Sequence, residues 1–193
     1  MDICVFGASS DTIDPPYFAA AEELGVLLQE GGHRLLYGGG REGLMGACAR
    51  GVIRAGGRPV GIAPRFFDEP GVLEHEDADL LFTETMAERK SLMLDRAEAF
   101  IALPGGIGTM DEFFEALTLR QLGQHAKPIV LLDTLGFFQP LDALLRSFAR
   151  EGFMGEGVLG HYALCAKPAE ALRYVMTPVH GKSNPRILHC YHA

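Results

Sequence analysis

Leu103-Pro104-Gly105-Gly106-Ile107-Gly108-Thr109-Met110-Asp111-Glu112 is the stretch from which the rest of the chain can be read. The apolar run 99–103 reads as a buried strand. A Pro-Gly-Gly turn follows it, and an amphipathic helix over 109–122 follows the turn. Three glycines in four positions let the main chain bend freely and let a ligand approach it closely. Unpaired amides at the start of the helix, with the positive end of the helix dipole behind them, suit a phosphate. Asp111 and Glu112 do not suit one, and that conflict points to chemistry rather than simple anion capture.

The same alternation extends in both directions. Strands are expected at 3–6, 33–37, 58–62, 80–84, 99–103, 128–132 and 162–166. Helices are expected at 15–30, 44–54, 86–97, 109–122, 137–150 and 169–176, the first with Asp14 as N-cap and Pro15 at its first position. Residues 64–79 form a loop-rich acidic stretch. Strands separated by helices pair in parallel and carry helices on both faces, an α/β fold. Strands with no polar alternation agree, because both of their faces are covered.

With 193 residues the chain is the size of one domain, read here as 1–176 with a tail at 177–193. A net charge of −8 argues against nucleic acid as the main partner, since backbone affinity rests on Lys and Arg. No apolar run approaches the ~20 residues that span a bilayer, so no membrane partner is expected. The opening Met1-Asp2-Ile3-Cys4-Val5-Phe6 has none of the marks of a secretory signal, which leads to a cytoplasmic expectation. Cys4, Cys48, Cys165 and Cys190 are scattered and read as reduced, Cys4 and Cys165 as buried small hydrophobes. No metal site is expected: His189, Cys190 and His192 lie in the tail and read as a tag remnant or a disordered end.

Several residues carry candidate chemistry. Gly38-Gly39-Gly40-Arg41-Glu42-Gly43 matches Gly-x-Gly-x-x-Gly between a strand and a helix, but no acid follows at the end of the next strand to hold a ribose. A nicotinamide or flavin is therefore not expected; Gly39, Gly40 and Arg41 are read as bordering a nucleotide or sugar-phosphate site. Thr109-x-x-Glu112 matches a capping box, a common helix start. The competing reading gives Thr109 to a phosphate and Glu112 to a sugar, with Glu115 on the same face one turn on. Arg89 falls three residues after Met86 and four before Met93, inside an apolar stripe, and so needs an anionic partner. Arg89, Lys90 and Arg41 are the cations placed to balance Asp111 and Glu112 beside a bound anion. Ser9 and Ser10 end the first strand and are given contact or turn roles.

Met86-x-x-Arg89-Lys90 followed by Pro104-Gly-Gly-x-Gly-Thr-x-x-Glu112 resembles the LOG (Lonely guy) family, whose members are often misnamed lysine decarboxylases. The resemblance extends over Val5–Ser10, Tyr37–Gly40, Gly43–Gly46, Gly123–Pro128 and Gly152-Phe153. It implies a Rossmann-like three-layer fold. It implies hydrolysis of the N-glycosidic bond of cytokinin-type or plain adenosine 5′-monophosphates, giving free base and ribose 5-phosphate, with no metal or other cofactor, in a homodimer. The family's catalytic pair falls on Arg89 and Glu112. Its binding positions fall on Lys90, on Gly105, Gly106, Ile107, Gly108, Thr109, Met110 and Asp111, on Met86 and Thr118, and in the acidic loop on Glu69. Two departures bear on base preference: Ala87 stands where many members have His, and Ile107 where Tyr is common. The competing expectation is a carrier of nucleotide or molybdenum cofactor on the same fold. Lysine decarboxylation lacks a lysine in a recognisable pyridoxal context.

Overall fold

The computed structural model describes residues 1–177; the tail reading, with His189, Cys190 and His192, lies outside the described residues. Seven strands form one sheet: β1 (Asp2–Phe6), β2 (Arg34–Tyr37), β3 (Val60–Pro64), β4 (Asp79–Thr83), β5 (Ala99–Ala102), β6 (Ile129–Leu132) and β7 (Ala163–Cys165). Six α-helices connect or flank them: α1 (Pro15–Glu30), α2 (Gly43–Arg54), α3 (Met86–Arg96), α4 (Ile107–Gln121), α5 (Gln139–Arg150) and α6 (Pro168–Met176). The order is β4-β3-β2-β1-β5-β6-β7, and every pairing is parallel. This is the expected three-layer α/β architecture, in a Rossmann-like arrangement.

Alternate residues of each central strand serve opposite faces, and both faces are apolar. Ile3, Val5, Leu35, Tyr37, Ile101 and Val130 belong to one core cluster, which takes in Leu24, Leu28, Ala47, Val52, Ala171 and Val175 of α1, α2 and α6. Cys4, Phe6, Leu36, Ile62, Phe100 and Leu131 belong to the other, with Met93, Phe113, Leu117 and Leu145 of α3, α4 and α5.

The topology places the site. The chain starts at the centre of the sheet and builds outward through β2, β3 and β4. Helix α3 then carries it back across the second face to β5, which pairs with β1. The order reverses between β1 and β5, and at such a point the loops diverge and leave a crevice at the carboxyl ends of the strands. Here Gly7-Ala8-Ser9 and the Pro104-Gly105-Gly106 turn meet, with the Ala8 N–H donating to Pro104 O at 3.1 Å.

Several boundaries differ from expectation. Asp14 occupies the N-cap of α1 with extended backbone, but its side chain makes no capping bond. Strand β3 forms at Val60–Pro64 rather than 58–62. Arg58 is instead an exposed link to the start of β4, its Nε donating to Asp79 at 2.6 Å. Cys4, Cys48 and Cys165 are free and buried, as expected for Cys4 and Cys165.

Candidate active site

Two helix starts carry the site, and they are built differently. Helix α3 opens with a true cap: Thr85 Oγ1 accepts from the Glu88 N–H at 3.1 Å, and Glu88 reaches back to the Glu84 N–H at 2.9 Å. Such a cap is worth ~1 kcal/mol. Helix α4 carries the same Thr-x-x-Glu spacing at Thr109 and Glu112 but does not use it. Gly106 is the N-cap, so the helix begins at Ile107, two residues earlier than expected. Thr109 then sits in the first turn, buried. Its hydroxyl turns onto Gly105, where an added Cβ would lie 2.1 Å from Thr109 Oγ1. The capping-box reading is thereby corrected: Glu112 is released from its own main chain.

Glu112 faces α3 instead. Its Oε1 lies 2.9 Å from Arg89 Nη1, and both side chains are buried, at 8% and 7% exposure. Arg89 is further fixed by its Nε, which donates to the Ile62 carbonyl of β3 at 3.0 Å. Burial raises the Glu112 pKa above the ordinary carboxyl value, and the Arg89 guanidinium beside it opposes that shift. The fully buried Cys4 thiol of β1 is also pushed well up, first by burial and then by the Glu112 carboxylate. A narrow void bounded in part by Phe6, Met93 and Glu112 adjoins it. The carboxylate is therefore held largely out of solvent, where its charge acts strongly.

Lys90 forms a second link between the helices. Its Nζ lies 2.9 Å from Asp111 Oδ2 and 2.9 Å from Glu115 Oε2. Hydrogen bonds to those two carboxylates raise its pKa. Above this network the glycine turn is open. The Ile107, Gly108 and Thr109 amides precede the first bond of α4, from the Met110 N–H to Gly106 O at 3.0 Å. Gly106 and Gly108 have no neighbour within 4 Å of an added Cβ, and Ile107 is 90% exposed. Met86 and Ser9 are exposed on the same end of the sheet.

The expected residues thus divide. Arg89, Lys90, Asp111, Glu112 and Glu115 form one charged cluster beneath the Gly105–Thr109 turn. Arg41 does not join it but pairs with Glu74 at 3.3 Å. Gly39 and Gly40 are covered by the following loop: Gly39 O accepts from the Glu74 N–H, and Gly40 bridges to Leu73. The amides that open α2 are also taken, Gly43 N–H by Asp11 Oδ1 at 2.8 Å and Leu44 N–H by Ala8 O at 2.8 Å. The Gly-x-Gly-x-x-Gly turn is therefore internal packing rather than a phosphate cradle. A cavity of about 400 Å³ lies beside it, lined by Gly40, Arg41, Arg50 and Glu74, away from the buried pair. Arg41 and Glu74 in its lining already pair with one another. Glu69 is exposed in a turn and Thr118 is exposed about three turns along α4. Sequence reasoning missed the Ile62 carbonyl and Gly38, which touches the Arg89 guanidinium.

Comparison with known proteins gives the family. A family model described as "possible lysine decarboxylase" matches residues 45–175. A Mycobacterium tuberculosis protein named cytokinin riboside 5′-monophosphate phosphoribohydrolase is 37% identical, over 89% of this chain and 91% of that protein. A protein of the same name from Rhodococcoides fascians is 38% identical, over 84% of this chain and 82% of that protein. The solved molybdenum cofactor carrier protein of Chlamydomonas reinhardtii superposes with a TM-score of 0.69, covering 89% of this chain and 93% of that one. At 24% identity that likeness concerns the fold alone. Matched over most of its length by this model and by both phosphoribohydrolases, the chain belongs to the LOG family.

Proposed function

We propose that this protein hydrolyses the N-glycosidic bond of adenosine 5′-monophosphates, with or without an N6 substituent, to free base and ribose 5-phosphate. The observation that carries the reading is the buried 2.9 Å contact between Arg89 and Glu112, beneath an open glycine turn, in a chain so similar to named phosphoribohydrolases. The amides of Ile107, Gly108 and Thr109 take the 5′-phosphate. Glu112 then faces the ribose. The C1′–N9 bond breaks with its electron pair leaving on the base, and the sugar acquires oxocarbenium character that the carboxylate stabilises. Water adds its oxygen to C1′; one of its protons passes to Glu112 and on to the departing base. Arg89 keeps Glu112 ionised and oriented. The reaction consumes only water, so the reading calls for no cofactor.

The same reading takes residues 1–176 as one catalytic domain followed by the tail, and the protein as a cytoplasmic homodimer. A carrier role is supported by likeness of fold only. The test is incubation with AMP and with N6-isopentenyl-AMP, following ribose 5-phosphate and free base. Equal release of both products supports the reading. No release from any adenosine monophosphate, plain or N6-substituted, overturns it.

A further inference from the structure

The glycine just after β2 borders the proposed site from an unexpected side. Along β2, Leu36 serves the core cluster that contains α3 and α4, and Tyr37 serves the opposite one. Position 38 therefore turns again toward α3. Gly38 is buried, and a Cβ added to it would stand 2.7 Å from Arg89 Nη2, with the Met45 Sδ next at 3.3 Å. A flexible side-chain end ordinarily yields to such a contact. This one is pinned: Nε donates to Ile62 O at 3.0 Å, and Nη1 holds Glu112 at 2.9 Å. The guanidinium is planar, so displacing Nη2 turns the other two nitrogens with it. The backbone imposes no need for glycine, since Gly38 is not among the residues with positive φ, in contrast to Gly39.

We infer that Gly38 is a positioning residue: its missing side chain forms the slot in which the Arg89 guanidinium lies flat enough to reach Ile62 and Glu112 together. The glycine run that resembles a dinucleotide fingerprint thus serves an arginine rather than a pyrophosphate. This inference rests on the hydrolase reading for its kinetic consequence but not for its structural one.

The experiment is Gly38→Ala, alone and combined with Arg89→Ala, in the full chain. Hydrolysis of AMP should lose about 10²-fold in kcat with KM little changed, the scale of a ~1 Å misplacement of a reacting group. Arg89→Ala should then cost little more in the Gly38→Ala background, because the two act through one guanidinium. A second readout does not need turnover: the carboxyl 13C titration of Glu112 in the free protein. Arg89 and Lys90 on α3, Cys4 on β1 and Asp111 on its own helix are the titratable or charged groups facing Glu112. Of these only Arg89 is displaced by the substitution, so the midpoint should rise in Gly38→Ala. Full kcat with an unmoved midpoint overturns the slot. If the wild type itself is inactive, the hydrolase reading fails while the titration still decides the slot. If Gly38→Ala fails to fold but folds once Arg89→Ala empties the slot, the clash is established. If it fails in both backgrounds, something other than Arg89, such as Met45, requires the glycine, and the inference is overturned.

Discussion

Glu112 is a carboxyl group subject to two opposed effects, and its behaviour under mutation follows from their sizes. Burial raises its pKa and Arg89 opposes the shift, with burial the larger effect. Only the ionised form can stabilise a cationic sugar or accept a proton, so kcat/KM for AMP should fall on the acid side at a pH above the ordinary carboxyl value of 4.5. Arg89→Ala removes the opposing cation and should move that acid limb higher still; a limb that stays put would show that Arg89 does not act on Glu112. Glu112→Gln keeps the shape but loses the charge, and should lower turnover by ~10²-fold or more. Near-normal hydrolysis in that variant would return Glu112 to a structural role. Stability separates the pair from its parts. Removing one partner of a buried pair strands the other, at a cost of ~3–5 kcal/mol, whereas replacing both with apolar residues is often neutral or stabilising. Urea unfolding should therefore show Arg89→Ala strongly destabilised and Arg89→Met with Glu112→Leu close to wild type, although inactive.

Helices α3 and α4 meet through two ionic links of different character. The Arg89–Glu112 link is buried, while the Lys90 links reach Asp111 and Glu115 at 56% and 34% side-chain exposure. Exposed pairs are screened and weak. Asp111→Asn, at the exposed end, should thus cost less than ~1 kcal/mol, and the loss should shrink further in 1 M salt; a large, salt-independent loss would mean that this link holds the helices together by itself. This level also shows what was legible beforehand. The apolar stripe of α3 exposed the need of Arg89 for an anion, because an unpaired charge among core residues is costly and that cost can be read from spacing alone. The resemblance pointed to Glu112, but spacing alone did not show a direct buried contact, since that depends on which strand β1 pairs with after the long return through α3. Thr85-x-x-Glu88 and Thr109-x-x-Glu112 have the same local pattern, yet only the first caps its helix. The difference is the glycine turn, which starts α4 at Ile107 and leaves Glu112 to a partner more than twenty positions upstream. The glycines after β2 misled in the same way: their pattern is that of a phosphate loop, but Asp11, Ala8 and the 72–74 segment occupy the groups a phosphate would need.

Across the whole molecule the sheet separates two layers with different duties. Helices α1, α2 and α6 close one face with an apolar cluster, while α3 and α4 on the other face hold every member of the charged cluster. Amide hydrogen exchange should register this division. In the free protein the slowest amides should be those of β1 and β5, which pair at the centre of the sheet and are covered on both sides. The amides of Ile107, Gly108 and Thr109 should exchange fast, since the turn above them is open and they precede the first bond of their helix. On the proposed reading a 5′-phosphate accepts from those amides, so a non-hydrolysable AMP analogue should slow exchange there. The same analogue should leave α6 and β7 unchanged, because they lie toward the far edge of the sheet. Protection centred instead on Gly40, Arg41 and Arg50 would move the nucleotide to the cavity beside α2 and remove the ground for assigning catalysis to Arg89 and Glu112.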